Sequence, residues 1–192
     1  MIFGWILLAA VVILLLYVIG AYNGLVRLKV QCENAWADID VQLKRRYDLI
    51  PNLVETVKGY AAHERGTFEA VTNARSRAMS AQGPAAKAEA ENMLTGALKS
   101  LFALAEAYPQ LRAVESFTQL QGTLSQIEDF IQNARRYYNA VVRDFDTKIQ
   151  QFPTNIIANV FNFKEREFFE VAAGAEREAP KVSFSNPAAP TA

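Results

Sequence analysis

The chain has 192 residues, 20 Lys plus Arg against 20 Asp plus Glu, one His and one Cys. That length has room for one domain and hardly for two, and the balanced charge gives no global bias toward nucleic acid or acidic partners. A single cysteine excludes an intrachain disulfide, and one His with one Cys leaves too few soft ligands for a zinc site.

No charged residue precedes Arg27, and Ile2 to Ala21 is one apolar run broken only by Gly4 and Gly20. At about 1.5 Å per helical residue the run matches the ~30 Å of a hydrocarbon core. Trp5 at one end and Tyr17 and Tyr22 at the other suit the wet interfaces. A cleaved secretory signal is the rival reading, with Val18-Ile19-Gly20 as a weak cleavage site, but the start lacks a cation and the run is too long. Residues 1–23 are therefore read as a transmembrane anchor. Cations follow the span (Arg27, Lys29, then Lys44, Arg45 and Arg46) and none precede it, which places the short N-terminus outside and the rest of the chain in the cytoplasm.

Beyond a soft joint at Asn23-Gly24, the segment from Leu25 to Ser80 reads as helix, with Ile39, Leu43, Ile50, Val54, Val57 and Ala61 at helical spacing. Pro51 removes a donor and crowds the Tyr47 carbonyl, so a kink, or a split into two helices, is expected at Tyr47–Pro51. Ala81-Gln82-Gly83-Pro84 is a turn. A second helix follows over Ala85–Ala107, with Met93, Leu94, Leu98, Leu101, Phe102 and Ala105 on its apolar side, closed by Tyr108-Pro109.

The third helix carries the strongest periodicity. Phe117, Leu120, Leu124, Ile127, Ile131, Ala134, Tyr138, Val141 and Phe145 follow alternating steps of three and four, a heptad seam ending near Phe152-Pro153. A helix of about forty residues is about 60 Å long, so the domain is expected to be a rod. Thr154–Phe161, capped by Thr154, and Lys164–Val171 read as short helices. Their Phe161, Phe163, Phe168 and Phe169 need burial at the bundle end or on a neighbouring subunit. Residues 179–192 are Pro/Ala-rich, too poor in apolar bulk to pack, and read as a disordered tail. The fold class is all-α: a single transmembrane helix followed, over 24–178, by an elongated antiparallel bundle of three long helices plus short C-terminal helices.

The block Asn34-Ala35-Trp36-Ala37-Asp38-Ile39-Asp40-Val41-Gln42-Leu43-Lys44-Arg45-Arg46-Tyr47-Asp48-Leu49-Ile50-Pro51-Asn52-Leu53-Val54 resembles the LemA family. The likeness begins at Tyr22-Asn23-Gly24-Leu25-Val26 and continues through Val57-Lys58-Gly59-Tyr60-Ala61-Ala62-His63-Glu64, Tyr108-Pro109, Ala134-Arg135-Arg136-Tyr137-Tyr138-Asn139 and Phe152-Pro153. It implies a bacterial inner-membrane protein with one N-terminal span, a helical bundle and no enzyme activity. Some similar proteins take part in forming or shaping membrane compartments in magnetosome-making bacteria. The Pro/Ala tail carries no family signal.

Catalytic and metal readings find little. Glu33, Asp38, Asp40, Asp48, Glu55 and Glu64 invite a metal site, but a di-iron bundle needs Glu-x-x-His pairs and the position three before His63 is Tyr60. A carboxylate-only Mg²⁺ or Ca²⁺ site stays open beside the simpler reading of solvated helix faces. His63-Glu64 is not a zinc motif, since Thr67 stands where the second His belongs. Cys32 has no neighbour that would activate it. Tyr137, Tyr138, Phe145, Phe152 and Arg143 suggest an aromatic–basic surface, but Tyr138 and Phe145 lie on the seam, so no nucleic-acid partner is assigned.

The expectation is thus a non-enzymatic protein without cofactor or metal. It is held in the lipid bilayer and acts by homo-oligomeric assembly or scaffolding that organises or shapes the membrane. The alternative is an adaptor that recruits an envelope-stress or other signalling partner. Trp36, Asp38, Asp40, Arg45, Arg46, Tyr47, Asp48, Pro51, Phe168 and Phe169 are the candidate interaction residues.

Overall fold

A computed structural model describes residues 2–170 as six helices and an extended C-terminal segment. The helices are α1 (Ile2–Lys58), α2 (Arg65–Ser80), α3 (Pro84–Glu106), α4 (Pro109–Arg112), α5 (Glu115–Gln150) and α6 (Thr154–Val160). The expected tail at 179–192 and the end of the bundle domain at 171–178 lie outside the described residues.

Helix α1 is unbroken for 57 residues, about 85 Å. Its apolar first third has the length and composition of a membrane anchor, and none of that window is buried in the protein. Asn23-Gly24 is no joint: α1 runs straight through it, and Ala21 and Leu25 on either side are already core residues. Cleavage after Gly20 would also remove Tyr17, whose hydroxyl lies 3.4 Å from Thr154 Oγ1 of α6.

From Leu25 onward α1 pairs antiparallel with α5. Ile39, Leu43, Ile50, Leu53 and Val57 face a seam in which Phe117, Leu124, Ile127, Ile131, Tyr138, Val141 and Phe145 are buried. Leu120 and Ala134, also on the heptad pattern, are only half-buried. In the membrane-distal half the α2–α3 hairpin packs alongside, turning at Gly83, whose φ of 80° favours glycine. In the proximal half the hairpin is absent, and the extended segment 163–170 fills its place against α1 and α5.

Four expectations need correction. The long segment to Ser80 does break, but at 59–64, where Gly59 is a poor helix residue, and α2 folds back along α1. Pro51 does not end the helix. The three long helices are α1, α3 and α5, and α2, of 16 residues, joins the bundle as the first arm of the hairpin. Met93 is exposed by 45% rather than packed. Thr154 is the first residue of α6 and makes no capping bond. The segment expected to form a helix from Lys164 is extended, because neighbouring side chains supply its backbone partners: Tyr138 Oη donates to the Glu167 carbonyl (2.9 Å), the Arg166 amide donates to Asp146 Oδ1 (3.0 Å), and Asn139 exchanges two bonds with Phe169 (2.9 and 3.2 Å).

Candidate functional site

The segment Asp38–Pro51 divides by helical phase. Arg46 and Tyr47 point inward, and Arg45 and Asp48 point out. The inward pair builds a buried charge cluster where α1, α2, α3 and α5 meet. The Arg46 guanidinium bridges Glu91 of α3 and Glu128 of α5, each at 2.8 Å, and donates to Thr95 Oγ1 at 2.9 Å. Tyr47 Oη donates to Glu91. The Lys87 ammonium sits 5.8 Å from the Tyr47 ring centre and 3.7 Å from Asp40, so Asp40 serves this cluster from its exposed edge.

Arg46 and Glu91 are almost wholly buried, and charges there are tolerable only when paired. Burial pushes the Glu91 carboxyl up, against the opposing pull of the Tyr47 hydroxyl and the Arg46 charge. Burial and the Glu91 carboxylate push the Tyr47 phenol far above its ordinary value. The cluster is a structural lock of cross-helix ion pairs, and with Arg46 and Tyr47 buried in it the two leave the set of candidate interaction residues.

Pro51 is exposed and its helix stays intact because of one side chain from α2. The Tyr47 carbonyl, whose helical donor would be the amide of residue 51, accepts from Arg75 Nε at 2.8 Å.

Trp36 is half-buried. Its ring lies 5.4 Å from that of Tyr138 and 5.6 Å from that of Phe169. Phe169 is 1% exposed and Phe168 half-buried, so Phe169 plugs its own chain instead of awaiting a second subunit. Burial raises the Tyr138 phenol to about 12.

The outward set is different. Arg45, Asp48 and Leu49 of α1 with Thr123, Gln126, Ile127 and Phe130 of α5 line an open groove of about 390 Å³. Phe130 is 54% exposed. Further toward the anchor, Val41 and Tyr137 continue an exposed apolar stripe, and Gln31 donates to Tyr137 Oη at 3.0 Å across the same helix pair. Asp38 is exposed on α1. Charges rim this surface while apolar groups fill it, a composition suited to protein contact.

Among the described residues no three His, Cys, Asp or Glu side chains gather as a metal site. Cys32 is sealed in the core, and burial raises its thiol, the opposite of activation. The sequence reading missed Arg75, Lys87, Glu91, Thr95 and Glu128. Lys87 and Glu91 were findable: they stand seven and three residues before Leu94, on the apolar face of α3, where a charge demands a partner.

Magnetosome protein MamQ 2 of Paramagnetospirillum magneticum is 26% identical over 175 residues, covering 78% of this chain and 64% of the relative. Magnetosome protein MamQ of Magnetospirillum gryphiswaldense is 24% identical over 174 residues, covering 77% and 64%. The chain therefore spans a little under two thirds of these relatives. Protein LemA of Metamycoplasma hominis is 27% identical over 158 residues, covering 80% and 71%. The LemA family profile matches residues 35–184, which takes in the charge cluster, the hairpin, the seam and the C-terminal segment alike. With most of its length inside that match, the chain belongs to the LemA family.

Proposed function

We propose that this protein is a non-enzymatic scaffold of the bacterial inner membrane, which self-associates through the α1–α5 groove and thereby organises or shapes the bilayer. The observation that carries the reading is the union of anchor and interface in one helix. The apolar span continues without a joint into the helix that bears Val41, Arg45, Asp48 and Leu49. Neighbouring copies held parallel by their anchors meet at raised local concentration, so a modest groove suffices. The relatives named as magnetosome proteins fit a role in compartment shaping. The cations Arg27 and Lys29 favour a cytoplasmic bundle and an external N-terminus.

Cross-linking in native membranes tests the reading. A ladder of self-products is expected, whereas a single product with another protein favours the adaptor that uses the Arg45–Asp48 rim. For topology, Glu69→Cys is the useful probe, because it is exposed on α2, away from the α1–α5 groove, where Cys32 is buried. An impermeant thiol reagent should miss it in intact cells and label it after permeabilisation. Labelling in intact cells overturns the cytoplasmic placement.

A further inference from the structure

From Ile149 to Phe163 the chain has no charged residue. This stretch holds α6, which turns one apolar face inward and another outward. Ile157 and Ala158 are buried, while Phe152, Ile156, Val160 and Phe161 are exposed by 80, 55, 73 and 51%. Four large apolar groups so exposed on α6 and its two flanks would burden a protein surrounded by water.

Their position along α1 explains them. Thr154 meets Tyr17, and the Tyr22 ring lies 4.8 Å from Phe161 and 5.8 Å from Phe163. Tyr17 belongs to the apolar run, about 6 Å before its end at Ala21 by helical rise. The outward side chains of α6 are therefore held beside the last turns of the span, at the edge of the hydrocarbon. The cations lie just beyond. Arg27 is about 9 Å past Ala21, at headgroup height. Lys29 and Lys164 line an open recess of about 630 Å³ directly above Phe161. Its other charges are engaged within the protein: Arg166 with Glu33 at 2.8 Å, and Glu165 with Gln150 at 2.8 Å.

We infer that α6 with Phe152 and Phe161 is a membrane-inserted foot. Its apolar face enters the leaflet at the mouth of the span, and Lys29 and Lys164 meet anionic phospholipid headgroups. The inference rests on the anchor reading and deepens the proposed function. A second element in one leaflet, locked to the span by Tyr17 and Tyr22, fixes the tilt of the bundle. It also adds volume to that leaflet alone, which favours curvature. The occupant is lipid rather than a second subunit because the exposed face is continuous with the span and the charge pattern changes from apolar to basic in the order that a leaflet does.

The test places spin labels on the full chain, with Cys32→Ala, in phosphatidylcholine–phosphatidylglycerol vesicles. Labels go at Ile156→Cys and Val160→Cys, with Leu8→Cys in mid-span and Glu69→Cys on α2, exposed and away from the α1–α5 groove, as references. The ratio of oxygen to water-soluble nickel-complex accessibility should be several-fold higher at 156 and 160 than at 69, approaching that at 8. Nickel access at 156 and 160 equal to that at 69, with position 8 in lipid, leaves the anchor standing and overturns the foot. Accessibility to neither reagent indicates protein contact and overturns it in favour of a second copy. Nickel access at position 8 removes the anchor and the foot together.

Discussion

Arg46→Leu is the sharpest perturbation of the bundle. It leaves the Glu91 carboxylate, whose side chain is 4% exposed, without its cation, removes the bond to Thr95, and strips Glu128, 33% exposed, of its partner. Breaking one side of a buried pair costs about 3–5 kcal/mol, and Glu128 adds little because water reaches it. For a domain of this size that is a fall in melting temperature of roughly 6–20 °C. The measurement is thermal unfolding of the full chain in mild detergent, followed by circular dichroism. The sign of the pH dependence follows from Glu91. Without Arg46 its carboxyl, already raised by burial, rises further, so the protonated form is favoured in the folded state and the deficit narrows as pH falls. Adding Glu91→Leu should recover most of the loss, since an apolar replacement of a whole buried pair is often neutral or stabilising. A single-variant loss below about 1 kcal/mol, or no recovery in the double variant, refutes the lock.

Other outcomes follow from the same geometry. Arg75→Met should cost about 1.5–3 kcal/mol by unfolding in detergent, as a charged hydrogen bond to the Tyr47 carbonyl is lost, and clearly less beside Pro51→Ala, whose restored amide takes over; equal costs in both backgrounds contradict this. Tyr47 and Tyr138 titrate at 10 when unfolded and higher when folded, so the unfolded chain releases protons first and stability falls as pH rises above about 10. Tyr47→Phe should flatten that alkaline slope in a melting-temperature series. Phe169→Ala should cost about 3–5 kcal/mol by the cavity left between Trp36 and Tyr138 and speed amide exchange at 166–169, leaving oligomer size unchanged. Loss of oligomers without loss of stability would return Phe169 to the interface.

What the sequence disclosed is what periodicity encodes. The heptad pattern of α5 and the apolar run of α1 each repeat over many residues, and Gly83-Pro84 punctuates the α2–α3 turn; helix, apolar run and turn lie where these signals put them. The errors share a cause in tertiary contact. Pro51 has an intrinsic cost that a guanidinium 24 residues later in the chain offsets, and Gly59 has a milder cost that nothing offsets, so the helix breaks at the weaker breaker. The segment after Phe163 has local helix character, yet Tyr138, Asn139 and Asp146 hold its backbone extended. Arg45 and Arg46 are adjacent in sequence, but a helix turns neighbours about 100° apart, so Arg45 reaches the groove and Arg46 the core. Phe130 lies off the seam, so the periodicity does not mark it and the bundle leaves it exposed.

Light scattering of the full chain in mild detergent, with the detergent mass subtracted, decides whether the anchored chain associates with itself through the α1–α5 groove. The wild type should show the mass of two or more whole protomers, and Phe130→Asp the mass of one, with its helical content and melting temperature intact. A wild type that stays at the protomer mass at every concentration, or a Phe130→Asp protein that assembles as the wild type does, contradicts it.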